Sequence, residues 1–408
     1  MTDHVFEFDQ PVVLAGQYDP ASIAPLIGGD GGKALSTMSG PPGVPIHDLA
    51  REFTRRRIQT TLLGGILGTK DLNVQSSPLS AIIYPKRGRI AWIADGLKRE
   101  RKIILAHLQE IQPAIVHSHW TLESSRAVAD WDGPKVLTVH DAAWECARIG
   151  SEWHWGPLAH ASTLRWLANT SAVLHRFKHI IAVSPYVEYY LRLKHQYRGE
   201  IRVIPNAVPP LPDLVQIPDP YPKSGCITFA CYGYPGPLKN VDTAIRGFLI
   251  LKRDLPNCRL LVYGGNWEQR SIEYSDAGIE FRGAKPHSVF LSELATEVDI
   301  WVHPSRIESQ GLAMCEAIQA GCPVIAGHAS GAVPWTLDYG RAGQLVNIES
   351  PADIAQAMLA LAKQKDRRLV LVRYGRQMIA DRFGLDRFVR SHMDFYRDII
   401  AADRHRRH

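Results

Sequence analysis

One segment in the second half of the chain is Ser305-Arg306-Ile307-Glu308-Ser309-Gln310-Gly311-Leu312-Ala313-Met314-Cys315-Glu316-Ala317. The residues before it, Asp299 to Pro304, predict a short buried strand that ends at a proline. The residues from Ala313 to Ala320 predict a helix that ends at Gly321, and Cys322 to Ala326 predicts the next strand. A strand, a loop, a helix and a further strand form the repeating unit of an α/β fold.

The two glutamates of this segment differ from an ordinary surface pair. Two glutamates eight positions apart often form a solvated helix face, but here Glu308 precedes the helix, and the run from Gly311 to Cys315 between the two is apolar. Glu308 and Glu316 can therefore both face the carboxyl end of the preceding strand. Carboxylates accept hydrogen bonds from sugar hydroxyls, and backbone N–H groups near Gly311 suit a phosphate. The segment predicts a nucleotide-sugar site.

The composition is that of an ordinary folded protein. The chain has 408 residues, of which 45% are hydrophobic and 22% charged, so it is long enough for about two domains and argues against disorder. The net charge of +6 comes with basic patches at Lys86-Arg87-Gly88-Arg89, at Lys98 to Lys102 and at Arg404 to His408. Each patch alone is explained more simply by a solvated basic face, and we expect no nucleic-acid partner.

The cysteines and the hydrophobic runs bear on the compartment. Six cysteines show no Cys-x-x-Cys pair and no zinc-type spacing, which favours a reducing environment. The first residues lack the basic and apolar regions of a signal peptide, and no run of eighteen apolar residues occurs. The sequence predicts a cytoplasmic protein whose contact with a membrane, at its inner face, would be peripheral.

Short β-branched runs alternate with helical stretches along the whole chain, which is typical of parallel sheets covered by helices. In the first half, the predicted helices are Val44 to Arg56 and Ile90 to Gln109. The predicted strands are Ala34–Met38, Thr60–Leu63, Ala114–His117, Lys135–Val139, Ile180–Val183 and Ile201–Ile204. On this basis residues 1–32 are an N-terminal extension, and residues 33–204 form a first Rossmann-like domain.

A proline-rich stretch interrupts this alternation at residues 205–224, where seven prolines exclude a helix or a central strand, so we predict a linker there. Residues 225–384 predict a second Rossmann-like domain, and Leu385 to Ala402 predicts a helix, so that residues 385–408 return to the first domain. The predicted strands of the second domain are Cys226–Tyr232, Arg259–Tyr263, Ile279–Arg282, Asp299–Val302, Pro323–Ala326 and Gln344–Val346, with a helix at Val241 to Leu255. We expect the two parallel sheets to face a cleft.

No Gly-x-Gly-x-x-Gly follows a strand, which argues against a dinucleotide-dependent dehydrogenase.

An ordered set of short motifs accompanies this pattern after residue 32. The first half contains Gly40-Pro41-Pro42-Gly43, Val116-His117-Ser118-His119, Thr138-Val139-His140-Asp141 and Ala182-Val183-Ser184. The second half contains Val203-Ile204-Pro205-Asn206, Tyr232-Gly233 with Lys239-Asn240, Leu261-Val262-Tyr263-Gly264, Phe281-Arg282-Gly283, and Glu308 through Pro323-Val324-Ile325. In this order the motifs resemble those of the retaining glycosyltransferases of GT-B family 4.

The resemblance implies roles for single residues. Glu308 would lie against the donor sugar, Glu316 would bind the ribose hydroxyls, and Lys239 would bind the diphosphate, whose negative charge grows as the glycosidic bond breaks. Gly43 would let the backbone of the first domain approach the phosphate. The catalytic residues implied are His140, Lys239 and Glu308, with His140 beside the transferred sugar. The remaining implied positions are Gly233, Tyr234, Ser309, Gln310, Gly311 and Leu312 for the donor, and His119 on the acceptor side.

The chain departs from the family pattern at four positions. Tyr234 follows Gly233 where the family usually has an arginine, so one diphosphate cation is missing or is supplied elsewhere. Gln310 replaces an aromatic residue near the expected sugar, Ala207 replaces a glycine, and Trp335 stands where a glutamate is common.

The resemblance implies transfer of a hexose from a nucleotide diphosphate sugar to a glycan or lipid-linked acceptor, with retention of configuration. A donor phosphate oxygen would take the acceptor proton, and neither a cofactor nor a metal ion is required. Two alternatives remain open: a UDP-N-acetylglucosamine 2-epimerase of the same fold, and a non-catalytic protein that binds sugar nucleotides or glycans. Residues Tyr84 to Lys102 combine basic and apolar side chains, which fits either a helix on an anionic membrane or an amphipathic helix packed on the sheet.

Overall fold

The structure is a computed structural model that describes residues 8–41, 43–150, 156–211, 226–267, 274 and 277–407. The described residues divide into two units. The first unit contains residues 8–144, 156–207 and 385–407, and the second contains residues 145–150 and 208–384 apart from the stretches that are not described. Most of the predicted linker, at residues 212–224, lies outside the described residues; the change of unit falls between Ala207 and Val208.

A mixed sheet of eight strands lies at the centre of the first unit. Its members in order of position are β3-β4-β2-β1-β5-β6-β7-β8, and all neighbours are parallel except β3 and β4. The strands are β1 Val12–Ala15, β2 Thr60–Leu67, β3 Leu72–Val74, β4 Leu79–Lys86, β5 Ile115–His119, β6 Lys135–Val139, β7 His179–Ala182 and β8 Glu200–Val203.

The N-terminal part of the chain supplies the central strand of this sheet, so the prediction of a first strand at Ala34–Met38 is wrong. Ala34 lies in a helix, Gly29–Ser36, while β1 pairs with β2 on one side and β5 on the other. All four residues of β1 are fully buried, because helices cover both faces of a central parallel strand. Residues 12–32 are therefore part of the first unit and not an extension before it. The strands β3 and β4 were also not predicted.

The helices of the first unit flank this sheet. The predicted helix Ile90 to Gln109 is two helices, because Gly96 and Leu97 adopt left-handed backbone conformations and Gly96 ends the first of them. The helices of this unit are α1 Pro20–Ile27, α2 Gly29–Ser36, α3 Val44–Arg55, α4 Arg89–Asp95, α5 Lys98–Ile111, α6 Glu123–Ala129, α8 Pro157–Leu174 and α9 Pro185–His195. Between α6 and α8, helix α7 spans Ala143–Gly150, and its residues from Glu145 onward belong to the second unit.

A parallel sheet of six strands forms the second unit, in the order β11-β10-β9-β12-β13-β14. This is the strand order 3-2-1-4-5-6 of a doubly wound fold. Each of its strands agrees with the predicted one to within one residue at either end. The strands are β9 Ile227–Tyr232, β10 Cys258–Tyr263, β11 Ile279–Gly283, β12 Ile300–His303, β13 Val324–Gly327 and β14 Gln344–Val346.

Both faces of the second sheet are buried, as the near-continuous apolar strands require. Phe229 and Ile300 pack in one core cluster, whereas their chain neighbours Ala230 and Trp301 pack in another. The helices of this unit contribute residues to both clusters. They are α10 Val241–Leu251, α11 His287–Thr296, α12 Leu312–Gln319, α13 Val333–Thr336, α14 Pro351–Lys363 and α15 Lys365–Phe383.

The last helix, α16, spans Leu385–Arg407 and packs on the first unit. Phe388, Val389 and Tyr396 share a core cluster with Val12 and Leu14 of β1. Two parallel-sheet α/β units of this kind make up the GT-B fold. Among the described residues, no helix is long and apolar enough to span a lipid bilayer.

Candidate functional site in the second unit

The loops that follow β9 and β12 form the candidate site. These two strands are neighbours, but the chain leaves them in opposite directions across the sheet, since β10 lies beyond β9 and β13 lies beyond β12. Ligands of doubly wound sheets bind at such a switch point, outside the carboxyl ends of the strands. Lys239 lies in the loop after β9, and Glu308 in the loop after β12. The fold therefore brings together two residues that are 69 positions apart in the sequence.

Lys239, Glu308 and His303 form one hydrogen-bonded group. The Nζ of Lys239 donates to Oε1 of Glu308 at 2.7 Å, and Nε2 of His303 donates to the same oxygen at 3.1 Å. The side chains of Lys239 and Glu308 are 26% and 15% exposed, and that of His303 is 5% exposed. The lysine and the glutamate can therefore reach a ligand, whereas the histidine supports the glutamate from inside the protein.

The charge of Glu308 follows from these neighbours. Burial by itself would raise the pKa of this carboxyl, but the Lys239 ammonium and the hydrogen bond from His303 outweigh burial and hold the pKa far below its usual range. Burial would lower the pKa of Lys239, and Glu308 reverses this, so that the pKa of the ammonium is raised. Both groups are thus ionised at neutral pH, and Glu308 can accept hydrogen bonds but cannot donate a proton.

Arg306 joins the two loops of the site. Its backbone N–H donates to the carbonyl of Leu238 at 2.9 Å, and its Nη1 donates to the carbonyl of Pro237 at 2.9 Å. The guanidinium also donates two hydrogen bonds to the carboxylate of Glu349, from Nε to Oε1 at 2.7 Å and from Nη2 to Oε2 at 2.9 Å. A planar guanidinium that makes three such bonds holds the loop of Lys239 in a fixed position beside the loop of Glu308.

The backbone at Glu308 is fixed by a third loop, which follows β13. The N–H of Glu308 donates to the carbonyl of Ser330 at 3.3 Å, and the N–H of Ala332 donates to the carbonyl of Glu308 at 2.8 Å. The position of the carboxylate is therefore set by main-chain bonds on one side and by Lys239 and His303 on the other.

Glycines allow the close packing of this loop. A Cβ atom at Gly233 would lie 2.6 Å from Cβ of Lys239 and 2.8 Å from Cγ2 of Val241, so only glycine leaves room for the lysine. Gly311 precedes α12 with a φ of 84°, and α12 then presents its first backbone N–H groups beside the Glu308 loop. Such N–H groups favour an anion.

Glu316 lies on α12, and its Oε1 accepts a hydrogen bond from Nε2 of His287 at 2.8 Å. Its side chain is 21% exposed, which leaves part of the carboxylate open to a ligand. Ser309 and Leu312 are half-buried and Tyr234 is 43% exposed. Gln310 differs, because it is only 2% exposed. Its main-chain carbonyl accepts a hydrogen bond from Thr336 Oγ1 at 2.6 Å. That Gln310 contacts a sugar stays a prediction.

The candidate residues of the first unit lie in a buried group of histidines. His119 ends β5, and its Nδ1 is 3.0 Å from Nε2 of His140, the residue after β6. His117 lies between Tyr396 Oη, at 2.5 Å from its Nδ1, and Thr138 Oγ1, at 2.6 Å from its Nε2. The structure thus brings the two predicted histidines into contact. Their part in catalysis stays a prediction.

Burial controls the charge of these histidines. It lowers the pKa of His140 to about 3 and that of His392, whose ring lies 5.4 Å from the ring of His117, to about 4. Burial, followed by the neighbouring rings, holds the pKa of His117 and of His119 well below the usual value. All four rings are therefore neutral at physiological pH.

Gly43 precedes α3 in the first unit, and its lack of a side chain has a local cause. A Cβ atom there would lie 2.0 Å from the carbonyl oxygen of Gln17. This contact explains the glycine without any ligand, and the predicted approach of Gly43 to a phosphate is a separate expectation.

Sequence reasoning missed His303, Arg306 and the partners of His117. A signal for His303 exists, since it is the polar last residue of the otherwise apolar strand Ile300–His303, at the edge where ligands bind. No such signal exists for Arg306 and Glu349, which are 43 positions apart. His392 and Tyr396 lie on α16, which meets β5 only in the folded chain.

Two family models match the chain. The model described as "Glycosyl transferases group 1" matches residues 226–364, and the model described as "Glycosyltransferase Family 4" matches residues 43–210. Together they include every candidate residue of both units.

Curated relatives match over part of their length. A D-inositol 3-phosphate glycosyltransferase of Corynebacterium kroppenstedtii is 32% identical over 181 residues, which are 41% of this chain and 40% of the relative. A GDP-mannose-dependent α-(1-6)-phosphatidylinositol monomannoside mannosyltransferase of Mycobacterium tuberculosis is 26% identical over 192 residues, 43% of this chain and 48% of the relative. The matches thus span less than half the length of either relative.

Solved structures share the fold over nearly the whole chain. Sucrose-phosphate synthase from Thermosynechococcus elongatus superposes with a TM-score of 0.71 at 18% identity, covering 96% of this chain and 100% of that one. The Anabaena protein HepE, solved with UDP and glucose, superposes with a TM-score of 0.64 at 14% identity, covering 95% and 100% of the two chains. At these identities the likeness shows the fold alone.

Proposed function

Because the chain belongs to glycosyltransferase family 4, the group 1 glycosyl transferases, we propose that it transfers a hexose from a nucleotide diphosphate sugar to a glycan or a lipid-linked saccharide. We further propose that the transfer retains the configuration of the anomeric carbon and needs no metal ion. The observation that most supports this proposal is the ion pair of Lys239 and Glu308 at the switch point of the second sheet.

Lys239 supplies the charge that the departing nucleotide needs. An ammonium group has three N–H donors, and the bond to Glu308 uses one of them, so up to two can bind phosphate oxygens. A fixed cation stabilises the diphosphate more in the transition state than in the ground state, because negative charge grows as the glycosidic bond breaks. The N-terminus of α12 adds backbone N–H groups of the same polarity.

Glu308 orients the sugar and takes no part in proton transfer. Its pKa lies far below neutrality, so it is a weak base and cannot act as an acid at neutral pH. It is suited to accept hydrogen bonds from sugar hydroxyls. Under the proposal, the acceptor hydroxyl attacks the anomeric carbon from the side on which the diphosphate leaves, and its proton passes to a donor phosphate oxygen.

The remaining candidate residues complete the donor site in the proposal. Glu316 binds the ribose hydroxyls. Its hydrogen bond with His287 already orients the carboxylate for this contact. Gly233, Tyr234 and the loop from Ser309 to Leu312 surround the diphosphate and the sugar. Gly43, His119 and His140 of the first unit keep the roles beside phosphate, acceptor and sugar that their motifs imply.

Relatives give a starting point for substrates, although they differ among themselves. The name of one relative refers to GDP-mannose and a phosphatidylinositol mannoside, and that of another refers to inositol 3-phosphate. HepE was solved with UDP and glucose. We propose UDP- and GDP-hexoses as the first donors to test, and inositol- or lipid-linked saccharides as the first acceptors.

The test of the donor site is thermal stabilisation of the purified chain by UDP-, GDP-, ADP- and dTDP-linked sugars, compared with a Glu316→Ala variant. We expect one base to raise the melting temperature and the variant to lose that shift. Product analysis with the stabilising donor then gives the anomeric configuration, and added EDTA is expected to leave turnover unchanged. No stabilisation by any nucleotide would overturn the proposal.

A non-catalytic binding protein is the second candidate, because Tyr234 stands at the position of a diphosphate cation. In that case the donor binds and raises the melting temperature, but it is not consumed with any acceptor. A 2-epimerase would convert free UDP-N-acetylglucosamine without an acceptor. Donor consumption with and without acceptor separates all three functions.

A peripheral contact with an anionic membrane is a further part of the proposal. On α4, Ile90 is 74% exposed and follows the exposed Arg89, and Lys98 and Arg99 at the start of α5 are exposed as well. Other members of this segment are engaged within the protein: the guanidinium of Arg87 donates to Asp95 and Glu100, and Trp92 is 9% exposed. Flotation with anionic and neutral liposomes tests the contact, and an Ile90→Ser variant should float less. Equal flotation with both lipids would remove this part of the proposal.

A further inference from the structure

A pocket of about 620 Å³ opens at the amino-terminal ends of the strands in the first unit. Its wall contains Thr60 and Thr61 at the start of β2, and Ser80 near the start of β4. The eight residues of β2 separate this end of the sheet from the carboxyl ends by about 25 Å. The pocket is therefore distinct from the candidate residues of the first unit, which follow the carboxyl ends of β5 and β6.

The sheet register explains how the pocket wall is formed. Thr61 pairs with Ser80, and Asn73 of the antiparallel strand β3 pairs with Ile82, so these side chains lie on one face of the sheet. The end of α5 closes the other side with Glu110 and Ile111. Thr61 and Ser80 are only 7% and 8% exposed, and so form the floor.

The polar groups of the wall are bonded to one another. Nε2 of Gln75 donates to Oδ1 of Asn73 at 2.6 Å, and Ser80 Oγ is 3.5 Å from Gln75 Oε1. Ser80 Oγ also donates to the carbonyl of Ser76 at 2.8 Å and accepts from the N–H of Ser76 at 3.2 Å. These bonds orient hydroxyl and amide groups before any ligand arrives, which lowers the entropic cost of binding.

The chemistry of the wall excludes several ligand classes. Of the described residues that line the pocket, Glu110 is the one with a charged side chain, so an anion would meet a like charge and no cation. An apolar ligand would remove water from amides and hydroxyls without replacing their hydrogen bonds. One exposed carboxylate is a weak site for a cation.

A neutral saccharide fits each of these conditions. Its hydroxyls both donate and accept, as do the hydroxyls and amides of the wall, and its C–H faces can pack on Pro11, Ile82 and Ile111. The volume lies within the range of about 300–1,000 Å³ that is usual for ligand pockets. We propose that this pocket is a second binding site, which holds a neutral di- or trisaccharide away from the donor site.

The test uses calorimetry and saturation-transfer NMR to measure whether the full chain binds maltotriose, cellobiose, α-(1→6)-mannobiose or lactose. We expect at least one of them to bind, and Asn73→Ala and Gln75→Ala to weaken that binding about tenfold each through lost hydrogen bonds. An Asn73→Trp variant should block the pocket. Gln109→Ala, which removes an exposed amide of α5 outside the pocket wall, is the matched control and should have no effect.

Two further measurements separate this site from the donor site. Stabilisation by the nucleotide should be unchanged in the pocket variants, and saccharide binding should persist in a Glu308→Gln variant. The proposal is overturned if none of the saccharides binds at millimolar concentration, if binding survives Asn73→Trp, or if it is lost in Glu308→Gln. Glucuronic acid and inorganic phosphate should not bind, and preferential binding of either would contradict the argument from charge.

Discussion

The carboxylate of Glu308 shows how much a single residue depends on its neighbours. Burial opposes its charge, yet its pKa is lowered, because Lys239 and His303 both bond to the same oxygen. A ligand that binds Lys239 changes the electrostatic environment of Glu308 directly. Under the proposed function, binding of the diphosphate and orientation of the sugar would therefore be coupled through the hydrogen bond between Lys239 and Glu308.

His303 should act as a positioning residue for Glu308. In a His303→Leu variant, loss of the hydrogen-bond donor should lower kcat/KM about tenfold and raise the pKa of Glu308. The acid limb of the pH–rate profile should then move to higher pH. The measurement is that profile for the wild type, His303→Leu and His303→Gln. The glutamine can still donate and should restore most of the activity; an unchanged acid limb in His303→Leu would show that His303 is only structural.

Tyr234 should limit affinity for the diphosphate. It lies in the same loop as Lys239 and is 43% exposed, so an arginine can be accommodated there. We expect Tyr234→Arg to tighten binding of the nucleoside diphosphate about tenfold, because a guanidinium forms charge-assisted bonds with phosphate oxygens. Calorimetric titration at two salt concentrations measures this, with Tyr234→Phe as the control. Equal affinity in all three proteins would place the diphosphate away from position 234.

At the scale of elements, the site is a junction of three loops that follow β9, β12 and β13. Arg306 holds the first two together, and the main-chain bonds of Glu308 hold the second and third. The loops come from strands of one sheet, so the rigid part of the unit determines where each loop begins.

Loss of the Arg306 contacts should loosen the Lys239 loop. In Arg306→Met, the side-chain bonds to Pro237 and Glu349 are absent. We expect the free energy of unfolding to fall by about 1–2 kcal/mol and the nucleotide to bind about tenfold more weakly. Urea unfolding and thermal stabilisation by nucleotide measure the two effects. Glu349→Gln keeps an acceptor for the guanidinium and should have a smaller effect on both. If Arg306→Met is less stable but binds nucleotide normally, the loop is positioned without Arg306.

At the scale of the whole molecule, α16 ties the C-terminal end of the chain to the strand near its N-terminus. The core of the first unit contains residues from β1 and from α16, and the histidine group lies where α16 meets β5. Stability of the first unit therefore depends on both ends of the described chain.

The histidine group should make folding stability depend on pH. His117, His119, His140 and His392 have folded pKa values below the unfolded value of about 6.5, so the unfolded chain binds more protons below that pH. The free energy of unfolding should therefore fall as the pH drops below about 6.5, by up to about 1.4 kcal/mol per pH unit for each histidine. Glu308 lowers the free energy of unfolding further only below about pH 4.5, the pKa of an unfolded glutamate, because its folded pKa is lower than that value.

Urea unfolding at pH 7.5, 6.5 and 5.5 measures this dependence. His392→Asn keeps a donor for the carbonyl of Phe388, to which Nδ1 of His392 bonds at 2.8 Å, and should show a shallower fall. The same slope in both proteins, or no fall below pH 6.5, would contradict the assignment of these histidines as neutral in the folded state.

The local pattern of the sequence was enough to identify the second sheet and the class of the protein. The strands of that sheet are apolar runs bounded by glycine and proline, and a fully buried parallel strand must have this composition. The sequence also predicted Lys239, Glu308 and Glu316 as candidate site residues, because each stands within a short motif that resembles one of the family, and their roles stay predictions.

What required the tertiary structure was every relation between residues far apart in the chain. The sequence alone did not reveal β1, since four apolar residues are too short a run to distinguish from a loop until their pairing with β2 and β5 buries them. The hydrogen bonds of His303, Arg306 and Glu349, the neutral histidines beside α16 and the polar pocket beside β3 all arise from packing between elements. A sequence states which groups exist, but their burial sets their charge, and only folding decides which groups are buried together.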